Sequence, residues 1–423
     1  MRKEKFAPHL YPPPAEAAGG EEGGLGWMKG ELELLKGQSL YRKLRVLEEI
    51  KGTRATVDGR KISLFCGNDY LGLSQHPKLI EAAKQALETS GVGTGSARLI
   101  SGTQKRHAEL EDRIARFFRR EKALLFSSGY LANLGVLSAL TQTGDTIILD
   151  KLCHASLIDA ARLANAAVRV YPHKNLEYLE KILKRTPHLY PPPAKVVGGS
   201  EGGKIWIVTD SIFSMDGDLA PLPGLVELKN RYGAYLVIDE AHGTGIFGER
   251  GRGVAEHFGV SDEIDIHIGT LSKAIGSFGG FVTGCSELID YLVNFARPFI
   301  FETALPASIC AASIEAFDLL EHEPELRHRL WQNVKRLRSG LKQVGVPLLE
   351  SESPIIPVVF GDEKKTLDAA ERLLKEGFLI PAVRYPTVSK GKARLRVTVS
   401  AAHSEDQIGG LIETFKRLLS LAD

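Results

Sequence analysis

The sequence predicts an α/β protein: a largely parallel sheet built from βαβ units, followed by a smaller α+β C-terminal domain. Three observations carry this. Short β-rich runs, "TIILD" (146–150), "VRVY" (168–171), "KIWIVTD" (204–210), "YLVID" (235–239), "IDIHIG" (264–269) and "GGFVTG" (279–284), read as buried strands. Helical stretches such as "YLANLGVLSALTQ" and "LPGLVELKNRYG" separate them, and strands that alternate with helices pair in parallel. From about Ala307 the pattern changes to long helices with a few strands, "IIPVVF" and "RLRVTVS". The expected division is an N-terminal arm over 1–60 (polar and helical across 31–57), a large domain over 61–306 and a small domain over 307–423.

A chain of 423 residues, 43% hydrophobic and 25% charged, has the composition of an ordinary soluble protein of two or three domains. Its formal charge of +2, with basic and acidic residues interspersed, gives no nucleic-acid footprint. Cys66, Cys153, Cys285 and Cys310 are scattered, without the spacing of a metal site, and read as reduced thiols. No apolar run approaches the about 18 residues of a membrane span, and the expected compartment is the cytoplasm. One segment repeats: "PHLYPPPAEAAGGEEGG" (Pro8–Gly24) returns as "PHLYPPPAKVVGGSEGG" (Pro187–Gly203) with 13 of 17 positions identical. Triple proline followed by glycine pairs cannot pack a core, so each copy reads as an exposed insert in preference to a docking ligand.

The sheet brings polar groups together. "WIVTD" ends in Asp210 and leads to Ser214; "YLVID" ends in Asp239 and leads to His242; "IDIHIG" ends just before Thr270 and Lys273. Ligands of parallel sheets bind outside the carboxyl ends of strands, so these residues converge on one crevice. Lys273 lies in "IGTLSKAIGSFGG" (268–280), a loop that reads as too bare to pack a core. "LLFSSGYLANLGVL" (124–137) places Ser127, Ser128 and Gly129 before an apolar helix, where unpaired N–H groups suit a phosphate.

Two motifs mislead. "VIDEAH" matches a helicase box, but the nearest phosphate loop, "GGSEGGKI", has Ile205 where a metal-binding hydroxyl must stand. "GVGTG" (91–95) resembles a dinucleotide fingerprint but follows a helix instead of a strand.

An amine, a buried acid, histidines and a phosphate-binding helix start are the groups that pyridoxal phosphate requires. "GNDYLGLS", "SARLISGT", "HASLID", "SMDGD", "DEAHGTG", "GTLSKA", "ARPFIF.TALP" and "ARLRVTVSAAH" occur in that order, and with them the chain resembles the α-oxoamine synthases over about residues 31–420. The resemblance implies a pyridoxal-phosphate-dependent transferase of fold type I, with helices on both faces of a mostly parallel central sheet. It implies that Lys273 carries the cofactor and later takes the substrate Cα proton. It places Asp239 at the pyridinium nitrogen, His242 at the phenolic oxygen and His154 on the ring face. Gly129, Tyr130, Ser214 and Thr270 become phosphate or cofactor contacts, and Thr303 reaches the phosphate of a neighbouring subunit in a homodimer. Arg396 binds the amino-acid carboxylate, Asn68 lies near that substrate, and Arg42 and Thr387 lie on the acyl-CoA side.

The implied activity is acyl transfer to an amino acid with loss of CO₂, from acyl-CoA or an acyl-carrier protein. Within the family, "NDYLGLS" and "ARPFIF.TALP" lean toward the branch joining L-alanine to a pimeloyl thioester. Glycine with acetyl-CoA, or another family pair, is the alternative. No metal, nucleic acid or membrane is expected.

Overall fold

Residues 25–186 and 203–420 are described by a computed structural model, so both copies of the repeat, Gly203 apart, lie outside the described residues. The chain divides into two units: one holds the described residues through Gly67, Met215–Gly217 and everything from Trp331, the other Asn68–Ser214 and Asp218–Leu330. The first unit therefore begins with the N-terminal segment. That segment is helical only over Trp27–Gly37 and continues into β1 (Glu48–Lys51), β2 (Arg54–Val57) and β3 (Arg60–Leu64). The helical arm expected over 31–57 is thus helix only to Gly37 and ends in two strands. Ala55 and Val57 alternate inward on β2 and pack with Ile62 of β3, so burial across the pair overrides local helix propensity.

The second unit holds a sheet of β4 (Lys122–Phe126), β5 (Thr146–Asp150), β6 (Ala167–Tyr171), β7 (Ile205–Asp210), β8 (Tyr235–Asp239), β9 (Ile266–Thr270) and β10 (Gly280–Gly284). Their order is β4-β10-β9-β8-β7-β5-β6. β5 to β9 pair in parallel, as the alternation of strands and helices requires, while β10 runs antiparallel to both β9 and β4. β4 is hidden in the sequence because "KALLF" passes without a break into the serines that open the next helix. β6, expected to be buried, is an edge strand, and of its residues only Tyr171 is buried. β5, β7, β8 and β9 end in Asp150, Asp210, Asp239 and Thr270, all at the carboxyl edge of the sheet.

The rest of the first unit supplies β11 (Ile355–Gly361), β12 (Phe378–Leu379), β13 (Ala382–Val383) and β14 (Ala393–Thr398). β12 joins β3 in parallel, and β14 pairs antiparallel with both β11 and β13. This pairing explains why the structure divides the chain differently from 1–60, 61–306 and 307–423. The N-terminal strands share a sheet with β12, whereas helix Ala307–His322 packs against helices Pro77–Ser90 and Lys105–Phe118 of the second unit. Among the described residues no helix is long and apolar enough to cross a membrane, and the four cysteines form no disulfide.

Candidate active site

In the second unit the carboxyl edge of the sheet gathers charge in a dry setting. Asp210 and Asp239 are neighbours across β7 and β8, and both are buried. Burial and the adjacent Asp239 push Asp210 well above the usual carboxylate range, and its Oδ2 accepts the His154 N–H at 2.7 Å. Asp239 accepts the Ala241 N–H on Oδ1 (2.8 Å) and Asn133 Nδ2–H on Oδ2 (2.7 Å). Both donors are neutral. A buried carboxylate needs a cation to complete it, and a protonated pyridine nitrogen is such a cation.

His154 caps helix Ala155–Leu163, its Nδ1 accepting from the Ser156 N–H at 3.3 Å. The residue remains exposed to solvent, yet protein packed about it lowers its pKa below the ordinary histidine value. Asp239 and Lys273 both act on it electrostatically, which puts the three within one field. An exposed neutral imidazole beside a buried acid suits a planar ring lying on it.

Lys273 follows β9 in a turn, half-buried. Its loop is not bare: Leu271, Ala274 and Ile275 are buried, correcting the expectation from composition. Small size here means close packing. Gly276 has φ +69°, and a Cβ there would lie 2.5 Å from the Ser74 N, within the turn that Asp69 caps through the Leu73 and Ser74 N–H groups. Thr270 Oγ1 donates to the Gly279 carbonyl at 2.9 Å and closes the other end. The backbone is fixed, so reach belongs to the lysine side chain alone.

Helix Gly129–Leu140 starts against this loop. Ser128 caps it, its Oγ accepting the Leu131 N–H at 3.2 Å. The helix itself offers no acceptor to the N–H groups of Gly129 and Tyr130. A Cβ on Gly129 would stand 3.3 Å from Thr270 Cβ, and one on Gly280 2.4 Å from the Gly129 N. A side chain on Gly280 would collide with the helix start, so glycine there keeps the Gly129 N–H clear, as binding an anion at a helix N-terminus requires. The Tyr130 hydroxyl donates to Asp159, which raises the phenol pKa to about 12, so the free polar group it leaves at the helix start is its N–H. Thr303 is exposed, and its backbone pairs with Ala97. "GVGTG" follows helix Pro77–Ser90 and leads into that pairing.

His242 is buried with its Nδ1 2.8 Å from the Tyr70 hydroxyl, and the same hydroxyl lies 3.3 Å from Asn68 Oδ1. Sequence reasoning missed Tyr70. It also missed what Glu240 does. This acid accepts from Ser211 Oγ and from the Val254 and Ala255 N–H groups, so the "DEAH" resemblance reports a carboxylate that ties a loop together. Burial raises it to about 7.

Ser214 ends a hairpin closed by the Ile212–Leu219 bridge. The return strand of that hairpin is anchored: His173 joins Asp150 Oδ1 (2.9 Å) to Asp218 Oδ2 (2.9 Å), and Lys174 Nζ adds a second contact to Asp218. Burial alone would lower the His173 pKa, but the two carboxylates outweigh it and hold the imidazole at about 9. Asp218 is displaced downward by the same partners against its own burial. A histidine whose folded value exceeds its unfolded one stabilises fully below about 6.5 and loses that stabilisation as pH rises through about 9, here on the order of 3 kcal/mol. Thermal melts from pH 7 to 10 should therefore fall in the wild type and flatten in His173→Gln. Matching slopes would remove His173 from the account.

In the first unit Arg42 Nη2 lies 3.3 Å from Thr387 Oγ1, so the structure brings these two expected residues together. Arg384, not picked out in the sequence, stands beside them. Burial and the charge of Arg42 lower its pKa, and it donates to the Ser39 carbonyl. Arg396 is buried on β14 opposite Pro357 of β11. Arg394, two residues before and on the same face, is committed to Asp216 at 2.7 Å and to the Met215 carbonyl. Cys66 feels the Arg396 and Arg45 charges, but burial prevails and raises its thiol to about 11.

The second unit thus offers an amine on a fixed loop, a buried acid held by two neutral donors, an open imidazole and a helix start kept clear by glycine. These fit pyridoxal phosphate. The comparisons agree. The 8-amino-7-oxononanoate synthase of Thermoanaerobacter pseudethanolicus is 44% identical over 93% of this chain and 97% of its own. Serine palmitoyltransferase from S. paucimobilis, solved with bound PLP, superposes with a TM-score of 0.86 at 32% identity, over 94% of this chain and 98% of that one. The solved 8-amino-7-oxononanoate synthase of Francisella tularensis gives 0.71 at 28% identity, over 85% and 98%. Residues 60–415 match the family described as aminotransferase class I and II, so the fold is the pyridoxal-phosphate-dependent fold type I and the cofactor is pyridoxal phosphate. The chain belongs to the aminotransferase class I and II family.

Proposed function

We propose that the protein joins L-alanine to a pimeloyl thioester, giving 8-amino-7-oxononanoate, CO₂ and free CoA or carrier protein, a step of biotin biosynthesis in the cytoplasm. The observation that carries this is the 44% identity, along nearly the whole of both chains, to 8-amino-7-oxononanoate synthase. Asp239 and Lys273 at adjoining strand ends support the chemistry.

Bound pyridoxal phosphate supplies an electron sink for the carbanion at the amino acid's Cα. The chain does the rest. Asp239 keeps a proton at the pyridine nitrogen, oriented by the Ala241 and Asn133 donors. His242 holds the phenolic oxygen, itself held by Tyr70. His154 covers the ring face. The Gly129 and Tyr130 N–H groups hold the phosphate with Ser214, Thr270 lies against them beside the cofactor, and Thr303 serves the partner's phosphate in a homodimer. Lys273 Nζ takes the alanine Cα proton and returns one after CO₂ leaves. Asn68 lies near the amino acid, Arg396 binds its carboxylate, and Arg42 with Thr387 binds the acyl donor.

A second reading has its own support: the backbone matches serine palmitoyltransferase at a TM-score of 0.86, above the 0.71 of the solved 8-amino-7-oxononanoate synthase. Alanine, glycine and serine crossed against pimeloyl-, acetyl- and palmitoyl-CoA test both. The expected result is the highest kcat/KM for alanine with pimeloyl-CoA. A methyl group is worth about 1–3 kcal/mol of discrimination, so slow turnover of glycine is expected too. A higher kcat/KM for serine with palmitoyl-CoA, or for glycine with acetyl-CoA, would reassign the substrates.

A further inference from the structure

We propose that Asn133 is a positioning residue that fixes, through one side-chain amide, both the acid beneath the cofactor nitrogen and the protonation state of the histidine on the ring face. The inference rests on the cofactor assignment above. Asn133 sits in the second turn of helix Gly129–Leu140, 1% exposed, in a helix otherwise rich in Leu, Ala and Gly. Its Nδ2 lies 2.7 Å from Asp239 Oδ2 and 2.8 Å from Ser156 Oγ. A primary amide nitrogen has two protons and no acceptor capacity, so it donates one to each.

The consequence travels one residue further. Ser156 Oγ accepts from Asn133, which leaves its own proton for the other neighbour, His154 Nδ1, at 2.8 Å. The Ser156 N–H also points at Nδ1. Nδ1 is therefore an acceptor from two donors and carries no proton. The neutral ring has its hydrogen on Nε2. One amide thus directs a neutral donor to the Asp239 carboxylate and, by way of Ser156, holds His154 as an uncharged imidazole. A cationic ring there would compete with the pyridinium for Asp239.

An independent observation says the amide is held in this orientation at a cost. Asn133 Oδ1 is buried without a hydrogen-bond partner among the described residues. Turning the amide over would place the carbonyl against the Asp239 carboxylate, oxygen facing oxygen. The orphaned oxygen is what remains when both N–H groups are given to the site, and such groups are rare enough in native proteins to need a reason.

The test uses the full chain, purified without cofactor and titrated with pyridoxal phosphate, followed by its visible absorption. Asn133→Leu keeps the approximate volume and removes both donors. Its dissociation constant for the cofactor should rise about tenfold or more, and the visible band of the loaded protein should titrate at a different pH, while the melting temperature of the cofactor-free protein stays near the wild type. Ser156→Ala cuts only the histidine arm and should weaken binding by less. Because both arms run through one amide, the double variant should be scarcely weaker than Asn133→Leu alone. Wild-type affinity and pH response in Asn133→Leu would overturn the proposal, and so would a double variant whose loss equals the product of the single losses. If Asn133→Leu does not fold, Asn133→Ser with Ser156→Ala gives the same cycle, read by the same two outcomes. Failure of the wild type itself to bind pyridoxal phosphate would instead strike at the cofactor assignment.

Discussion

Lys273→Ala should lower turnover by at least about 10³-fold, because one change removes both the cofactor's covalent anchor and the base for the Cα proton. The expectation follows from how the loop is built. Gly276 against Ser74 and Thr270 against Gly279 hold the backbone still, so no neighbouring residue can move in to supply an amine. Asp210, Asp239 and His154 remain as the charged and polar surroundings of the position. Borohydride reduction separates loss of the amine from loss of the fold. The wild type should carry a reduced cofactor adduct on the peptide containing Lys273, seen by mass spectrometry. The variant should carry none and should lose the visible absorption of that linkage, while melting as a folded protein. An adduct on another lysine would reassign the role.

Arg396→Ala should raise KM for alanine about 10- to 100-fold, the range of a charge-assisted hydrogen-bonded pair of about 1.5–3 kcal/mol. Binding the carboxylate is an interaction made before and during reaction alike, so most of the loss belongs in KM. A smaller fall in kcat should accompany it, since a loosely held carboxylate lets the Cα–H bond turn away from the direction that spills charge into the ring. Arg396→Lys keeps the charge but not the planar fork, and should fall between the two. The result is specific because Arg394, on the same face of β14, is already tied to Asp216 and cannot substitute. An unchanged KM for alanine would move the carboxylate ligand elsewhere.

Much of the second unit was legible because parallel strands bury both faces and so read as unbroken apolar runs. β5, β7 and β8 stand where "TIILD", "KIWIVTD" and "YLVID" place them, give or take a residue. The polar residue closing each run marked the edge where the chemistry lies. Runs without such contrast mislead. β4 merges with the helix after it, and β6 reads as buried because "VRVY" gives no sign that its outer side lacks a neighbour.

The sequence by itself determined the residue types, their order and their assignment to strand ends, since periodicity and breakers are local properties. It carried Asp239, His242, Thr270 and Lys273 to one edge of one sheet. Only tertiary structure decided which groups complete them. Asn133 reaches Asp239 across 106 positions of chain, and Tyr70 reaches His242 across 172. Tertiary structure also decided that "SKAIGSFGG" is a packed clamp and that the N-terminal strands belong with β12. The reason is the same in each case: a hydrogen bond or a close backbone approach depends on a distance between remote segments, which no local pattern of residues encodes.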